Sequence, residues 1–172
     1  MNNKYELSQE TIEVDGHTLY RIRAIRDFFN VKAGDLGGYI ESEDNLSFTA
    51  GTCWVYDNAI VYENARVYGG ARVYGSAMIY ENAQVYRFAR VFGHARVYGD
   101  ARVGDAWIGG DVRVSGDTWI GDPLGDPLHF ASNVWLDGDV NITSGIWNRL
   151  LTMGRKPYLV STTLNKVLMG YK

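Results

Sequence analysis

The chain of 172 residues holds one cysteine, Cys53, so neither an intrachain disulfide framework nor a cysteine-rich zinc site can be assembled from it. A reducing, cytoplasmic setting is the expectation. Excess positive charge is also missing: the formal net charge is −3, and no global field draws the protein onto duplex DNA regardless of sequence. No apolar run approaches the roughly 18 residues needed to span a bilayer, and residues 1–6 lack the apolar core of a signal peptide. A soluble protein without a membrane partner is expected. What the chain does have is apolar and aromatic material, 46% hydrophobic residues with 12 Tyr and 5 Trp, which is far from the polar signature of disorder. Its length suits one domain with a real core.

An internal repeat organises most of that material. Val55, Val61, Val67, Val73, Ile79, Val85, Val91, Val97 and Val103 recur every six residues, and Ala59, Ala65, Ala71, Ala77, Ala83, Ala89, Ala95 and Ala101 keep the same step two places earlier. The unit reads Ala-Arg-Val-Tyr-Gly-x. In an extended segment alternate side chains share a face, so Ala and Val point one way while Arg and Tyr point the other. Pairs such as Asp57 and Asn58, Gly75 and Ser76, or Glu81 and Asn82 supply the bends between segments, because these residues tolerate tight corners. Six residues with a corner at each end form one side of a prism, and three sides close a coil. A helical stripe of period 3.6 does not fit apolar residues at i and i+2 with a step of six.

The spacing therefore predicts an all-β fold, a left-handed parallel β-helix of about five coils, roughly 25 Å long at ~4.8 Å per rung. Its hand is taken from likeness to other hexapeptide proteins. Ile40 and Leu46 start the first coil; the register slips by one residue through Gly104, Asp105 and Ala106, then resumes at Ile108, Val114 and Ile120. A Pro- and Gly-rich insertion over 122–132 reads as a loop pushed out of the prism, with Leu136 and Ile142 recovering the spacing. Three parts follow: an N-terminal β cap over 1–39, the helix over 40–143 and a C-terminal β cap over 144–172. Caps are needed because bare coil ends invite strand addition. Asp15 and Gly16 signal a hairpin in the first cap, and 154–157 between Leu150–Met153 and Tyr158–Ser161 signal one in the second. Residues 141–172 carry five Lys or Arg and no acid, whereas residues 1–53 carry five bases and nine acids, so the two ends differ in charge.

The segment Gly37 to Leu46, the run Cys53 to Ala59 and the Val-Tyr-Gly-x-Ala-Arg array resemble the hexapeptide-repeat proteins of phages, prophages and bacteria. The resemblance covers about residues 5–120. It implies the left-handed β-helix and a phage-associated, anti-defence accessory role. Members often carry a transferase label by analogy with hexapeptide acyltransferases, which says little about function.

Three histidines test the acyltransferase reading, in which a histidine serves as general base and coenzyme A as donor at a subunit cleft. His17 lies beside the hairpin turn and is expected in solvent; His94 is a corner residue; His129 lies in the inserted loop. His129 and His94 are the candidates for that alternative; His94 has no evident orienting partner, and His129 carries more weight because loops thrown out of rigid scaffolds often carry function. No spacing matches a three-histidine zinc site. Asp105, Asp111, Asp117 and Asp122 recur near corners, where carboxylates bond turn amides and calcium is a secondary thought. No metal or cofactor is expected.

The outward residues say more. Residues 18 apart stack, so one face presents Trp54, Arg72, Arg90 and Trp107 beside Tyr56, Tyr74 and Phe92, and another presents Ile60, Met78 and Arg96 beside Tyr62, Tyr80 and Tyr98. Such strips serve as structural ladders, as homo-oligomer interfaces, a trimer being favoured, or as sites for a host protein or nucleotide ligand. The leading expectation is a non-enzymatic oligomeric binding scaffold with Trp54, Tyr56, Arg72, Tyr74, Arg90, Phe92 and Trp107 as its ligand or interface residues.

Overall fold

The computed structural model describes residues 2–121, together with the segments 128–130, 134–138, 141–142 and 158–162. It is all β apart from one 3-10 turn at Glu43–Asn45. The chain winds as a parallel β-solenoid with three walls. The first wall continues from β3 (Leu36–Ile40) through Ile60–Val61, Met78–Ile79, Arg96–Val97 and Arg113–Val114. A second runs from Leu46–Gly51 through Arg66–Gly69, Gln84–Tyr86, Arg102–Gly104 and Trp119–Ile120. The third holds Trp54–Val55, Arg72–Val73, Arg90–Val91, Ala106–Ile108 and Leu128–Phe130.

The inward residues are those of the six-residue step. From Val55 to Val103 the aliphatics, and from Ala59 to Ala101 the alanines, are buried almost completely. Alanine beside each corner leaves room for the narrowing of the triangle, and the branched aliphatic fills the middle of each wall. Ile40 pairs with Val61 and Leu46 with Val67, so the first coil starts where the spacing placed it.

Corners repeat one backbone geometry. Asp57, Glu63, Glu81, Arg87 and Asp105 take φ between 47° and 57°, as do the glycines at 69, 75, 93, 99, 110 and 116 with φ of 65–73°. This left-handed conformation is costly for a residue with a Cβ. Hydrogen bonding offsets it. Glu41 Oε2 accepts from the Glu63 amide at 2.6 Å, Glu63 Oε2 from the Glu81 amide at 2.6 Å, and Glu81 Oε2 from the Gly99 amide at 2.7 Å. Asp57 does the same for Gly75 at 2.9 Å. Next along each corner, the second amide donates to a carbonyl one coil on, as from Asn82 to Gly99 at 3.0 Å. Carboxylates at corners are thus part of the coil-to-coil ladder.

The slipped corner is a single residue, Asp105, between Arg102–Gly104 and Ala106–Ile108, so Arg90 pairs with Trp107 only 17 positions on. A Cβ built on Gly104 would lie 2.8 Å from the Tyr86 ring, which explains why the tyrosine of the repeat is replaced there. Part of the stretch expected as a loop over 122–132 is strand, and its other residues lie outside the described ones. Leu128–Phe130 returns to the third wall as a strand paired with Ala106–Ile108, because three residues in register recover ladder hydrogen bonds that an ejected loop would forgo. Leu136 and Ile142 then pair with Val114 and Ile120.

At the N-terminal end β1 (Tyr5–Val14) and β2 (His17–Ala24) form the hairpin turned by Asp15 and Gly16, both at positive φ. β2 pairs antiparallel with β3, closing the first wall's edge. Lys4 is buried, its Nζ donating to the carbonyls of Cys53 at 2.7 Å and Ser47 at 3.0 Å, with Cys53 Sγ 3.3 Å away. Burial pushes the Lys4 amine down and the Cys53 thiol up from their ordinary values. Tyr158–Thr162 pairs in parallel with Val134–Gly138 and so extends the first wall, while its expected hairpin partner at 150–153 lies outside the described residues.

Ile79→Ala should lower unfolding stability by about 2–5 kcal/mol, read as a lower denaturant midpoint, because the neighbouring coils cannot close the cavity. Arg66→Ala, exposed on the second wall, should stay within about 0.5 kcal/mol of the parent.

Candidate functional site: the outer face of the third wall

The third wall carries the column anticipated from 18-residue stacking: Trp54 pairs with Arg72, Arg72 with Arg90, and Arg90 with Trp107. Its first member departs from expectation. Trp54 is only 1% exposed, with Tyr5 edge-on at 6.1 Å and Phe28 edge-on at 5.3 Å, so it belongs to the core and not to a binding surface. The reason is the chain between β2 and β3, which folds over the top of this wall, where a large flat ring is the most apolar surface available to cover.

Below Trp54 the column changes character. The Arg72 guanidinium lies over the Phe29 ring at 4.0 Å, and that of Arg90 over Trp107 at 4.5 Å. Among the described residues neither arginine has a carboxylate partner. Arg72 Nε is buried and donates to nothing there. The strands that carry the two arginines lie one rung apart, ~4.8 Å, and like charges at about that separation repel by roughly 1–3 kcal/mol, depending on how much water reaches them. Each aromatic contact returns about 0.5–2 kcal/mol, so the rings hold the cations in place without neutralising them.

Beside this column Tyr56 and Tyr74 stack at 4.8 Å and 15°, and Tyr56 Oη donates to Asn30 Oδ1 at 2.9 Å. Phe92 is 36% exposed, and a Cβ on Gly109 would strike its ring at 2.3 Å, so the ring lies flat across the next rung. Tyrosines stacked on one another present edges outward, since the facing ring surfaces are consumed in the ladder.

The histidines fall in three different settings. His94 is exposed at its corner; its amide donates to the Gly110 carbonyl at 2.9 Å, and among the described residues no side chain orients its ring. His129 is not on an ejected loop: it takes the register position opposite Trp107. His17 is not free in solvent either. Its Nδ1 lies 3.0 Å from Glu41 Oε1, its Nε2 3.5 Å from Glu63 Oε1, and its ring 5.4 Å from that of Tyr62. The hairpin turn brings it there, next to the first two carboxylates of the corner ladder. The Glu41 hydrogen bond raises the His17 pKa, and the same bond lowers that of Glu41.

Two features were not read from the sequence. The hairpin covers part of the first wall, burying Ile60 and Tyr62 beneath Leu19 and leaving the stack from Tyr80 to Tyr98, 4.9 Å apart, partly open. The second wall has a strip of its own: Arg66, Gln84, Arg102 and Trp119 in one column, with Tyr68 stacked on Tyr86 at 5.4 Å. Trp119 Nε1 donates to Tyr86 Oη at 2.9 Å, and a shallow groove of 320 Å³ runs along Asp44, Ser47, Arg66, Tyr68 and Gln84. The 18-residue step that revealed the other two strips also contains this one. Among the described residues no three His, Cys, Asp or Glu side chains come together to hold a metal ion.

Residues 55–69 and 89–105 match the family model described as the YdcK Beta solenoid repeat. Both stretches lie in the coils, so the likeness concerns the solenoid itself. No curated protein matches the chain.

His17 ties the cap to the ladder in its protonated form. A histidine whose pKa is raised on folding contributes stability fully below about pH 6.5, lost as pH rises through the folded value. Glu41 contributes in the opposite sense, present above about pH 4.5 and lost as pH falls through its lowered value. Protection of the β1–β2 amides against hydrogen exchange, taken relative to the intrinsic rate at each pH, should therefore be greatest between these limits. His17→Gln should flatten the upper limb and also weaken the lower one, because the hydrogen bond from His17 is the largest influence that lowers Glu41.

Proposed function

We propose that this protein is a non-enzymatic binding scaffold whose third wall takes up an anionic group, a phosphate or carboxylate, on Arg72 and Arg90. One observation carries the reading: two cations in register on a rigid wall, bracketed by Phe29 and Trp107, with no carboxylate partner among the described residues. A buried donor without an acceptor costs about 1–3 kcal/mol, and Arg72 Nε is such a donor. A scaffold bears that cost where the group has work beyond holding the fold. Tyr74 and Phe92 flank the pair, and the corner carboxylates are turned to backbone amides, so the wall's outer surface is basic where the corners are acidic.

The resemblance to phage and prophage hexapeptide proteins supports an accessory, anti-defence role in which the bound anion belongs to a host molecule. A homotrimer is the assembly we expect, using the aromatic strips of the other walls. A cytoplasmic location is also proposed; among the described residues no helix is long and apolar enough to cross a membrane. The acyltransferase alternative needs a histidine held by a second group, and His94 has none among the described residues.

The test is calorimetry with pyrophosphate as the probe. The parent should bind it, more weakly as salt is raised, because the contact is ionic. Arg72→Ala and Arg90→Ala should each weaken binding by roughly tenfold, the scale of a charge-assisted hydrogen bond. Unchanged affinity in the double variant would reject the third wall as the site, and heat of binding on adding coenzyme A that depends on His94 or His129 would favour the acyltransferase.

A further inference from the structure

Along the axis of the third wall the open chemistry comes in a fixed order. The cap segment lies at the Trp54 rung, since Phe28 packs on Trp54. Phe29, the next residue, projects over Arg72, the following rung. Arg90 comes one rung later, and Trp107 closes the far side of its guanidinium. Reading from the cap, the wall therefore offers a ring, a cation, a second cation and then a ring that ends the basic run.

Phe29 differs from the tyrosines of the ladder. It is 62% exposed and makes no ring-on-ring stack among the described residues, with one face on the Arg72 guanidinium. With Arg72 on one face, that exposure leaves ring surface for a second planar group. Phe29 is also held at φ 47°, a left-handed conformation that is strained for an aromatic residue, and its neighbour Asn30 is tied to Tyr56 Oη. A strained backbone anchored at its next residue fixes the ring as a platform, where an unconstrained phenylalanine would fold its ring onto apolar surface.

We propose that the anion bound by this wall is a nucleoside diphosphate, its base stacked on the open face of Phe29 and its two phosphates on Arg72 and Arg90. This inference rests on the reading of the third wall as an anion site and adds the ligand class. The rung spacing of ~4.8 Å lets adjacent guanidinium groups each meet one of two linked phosphates. A planar base suits Phe29 because stacking needs only a free ring face, and no hydrogen-bond pattern near it selects one base over another. The tyrosine ladder cannot serve in its place, because Tyr56 and Tyr74 already stack on each other.

Calorimetry on the full chain with ADP, AMP, ribose 5-phosphate and pyrophosphate tests both levels. ADP should bind tightest, AMP less tightly for want of the second phosphate, and ribose 5-phosphate less tightly than AMP for want of the base. Phe29→Ala should weaken ADP roughly five- to hundredfold, the range for loss of one stacked base, and pyrophosphate by clearly less, since that probe loses only the ring's hold on Arg72. Phe29→Trp should restore ADP binding. Because Phe29 is exposed, a circular dichroism spectrum matching the parent is expected for both variants and separates loss of the platform from loss of fold. If ADP and pyrophosphate bind alike and Phe29→Ala alters neither, the nucleotide assignment falls while arginine-dependent anion binding stands. If neither probe binds, or binding ignores Arg72 and Arg90, the anion site itself falls and the ligand class with it.

Discussion

The walls of this protein are held by strands that hydrogen-bond to the coil before and the coil after, while bonds within a coil, such as the Ala59 amide to the Tyr56 carbonyl, close its corners; every other feature answers to that constraint. Those corner bonds leave the strand amides unmet, so strand after strand must find carbonyls one turn away and remain in register. Register on three walls at once requires corners of nearly constant shape. Left-handed corner residues meet that requirement at a local cost, and the carboxylates of Glu41, Glu63, Glu81 and Asp57 offset it by capping the next amide in line. Charge is largely sorted as a result: acids gather at corners, while the coil arginines other than Arg87 sit on the flat walls.

The same constraint produces the ladders. When residues 18 apart are held at rung spacing, like side chains meet like side chains, and only groups that tolerate their own kind are comfortable there. Tyrosines do, as the stacked pairs on all three walls show. Arginines do not, and the wall deals with Arg72 and Arg90 by adding aromatic faces instead of acids. A structural ladder and a candidate binding face are therefore made from one repeat, distinguished by whether the stacked groups satisfy each other or leave charge unspent.

The ends of the solenoid obey a different logic. The hairpin covers an open edge, and it does so with material the repeat does not supply: Lys4 bonded to the carbonyls of Ser47 and Cys53, Tyr5 against Trp54, and His17 between two carboxylates. These contacts link residues 24 to 49 positions apart with no periodic signal between them. Trp54 was read as a surface residue for that reason, since its column is outward everywhere else and only the cap turns it into core. The sequence puts His129 on a loop for a related reason: Pro and Gly density marks a break in the spacing but does not say where the chain rejoins its wall.

What the sequence determined by itself is everything that repeats. Alternation of Ala and Val with Arg and Tyr, at a step of six, decides inside and outside, the three-sided coil, the slip at Asp105 and the stacking of residues 18 apart, because each depends on local backbone geometry applied over and over. Only tertiary structure decided what happens once: which part of the first wall the hairpin hides, that Trp54 is buried, that Phe29 reaches Arg72, and that His17 joins the corner carboxylates. Those outcomes depend on where a non-repeating segment lands on a finished surface, and such a meeting leaves no period in the chain to read.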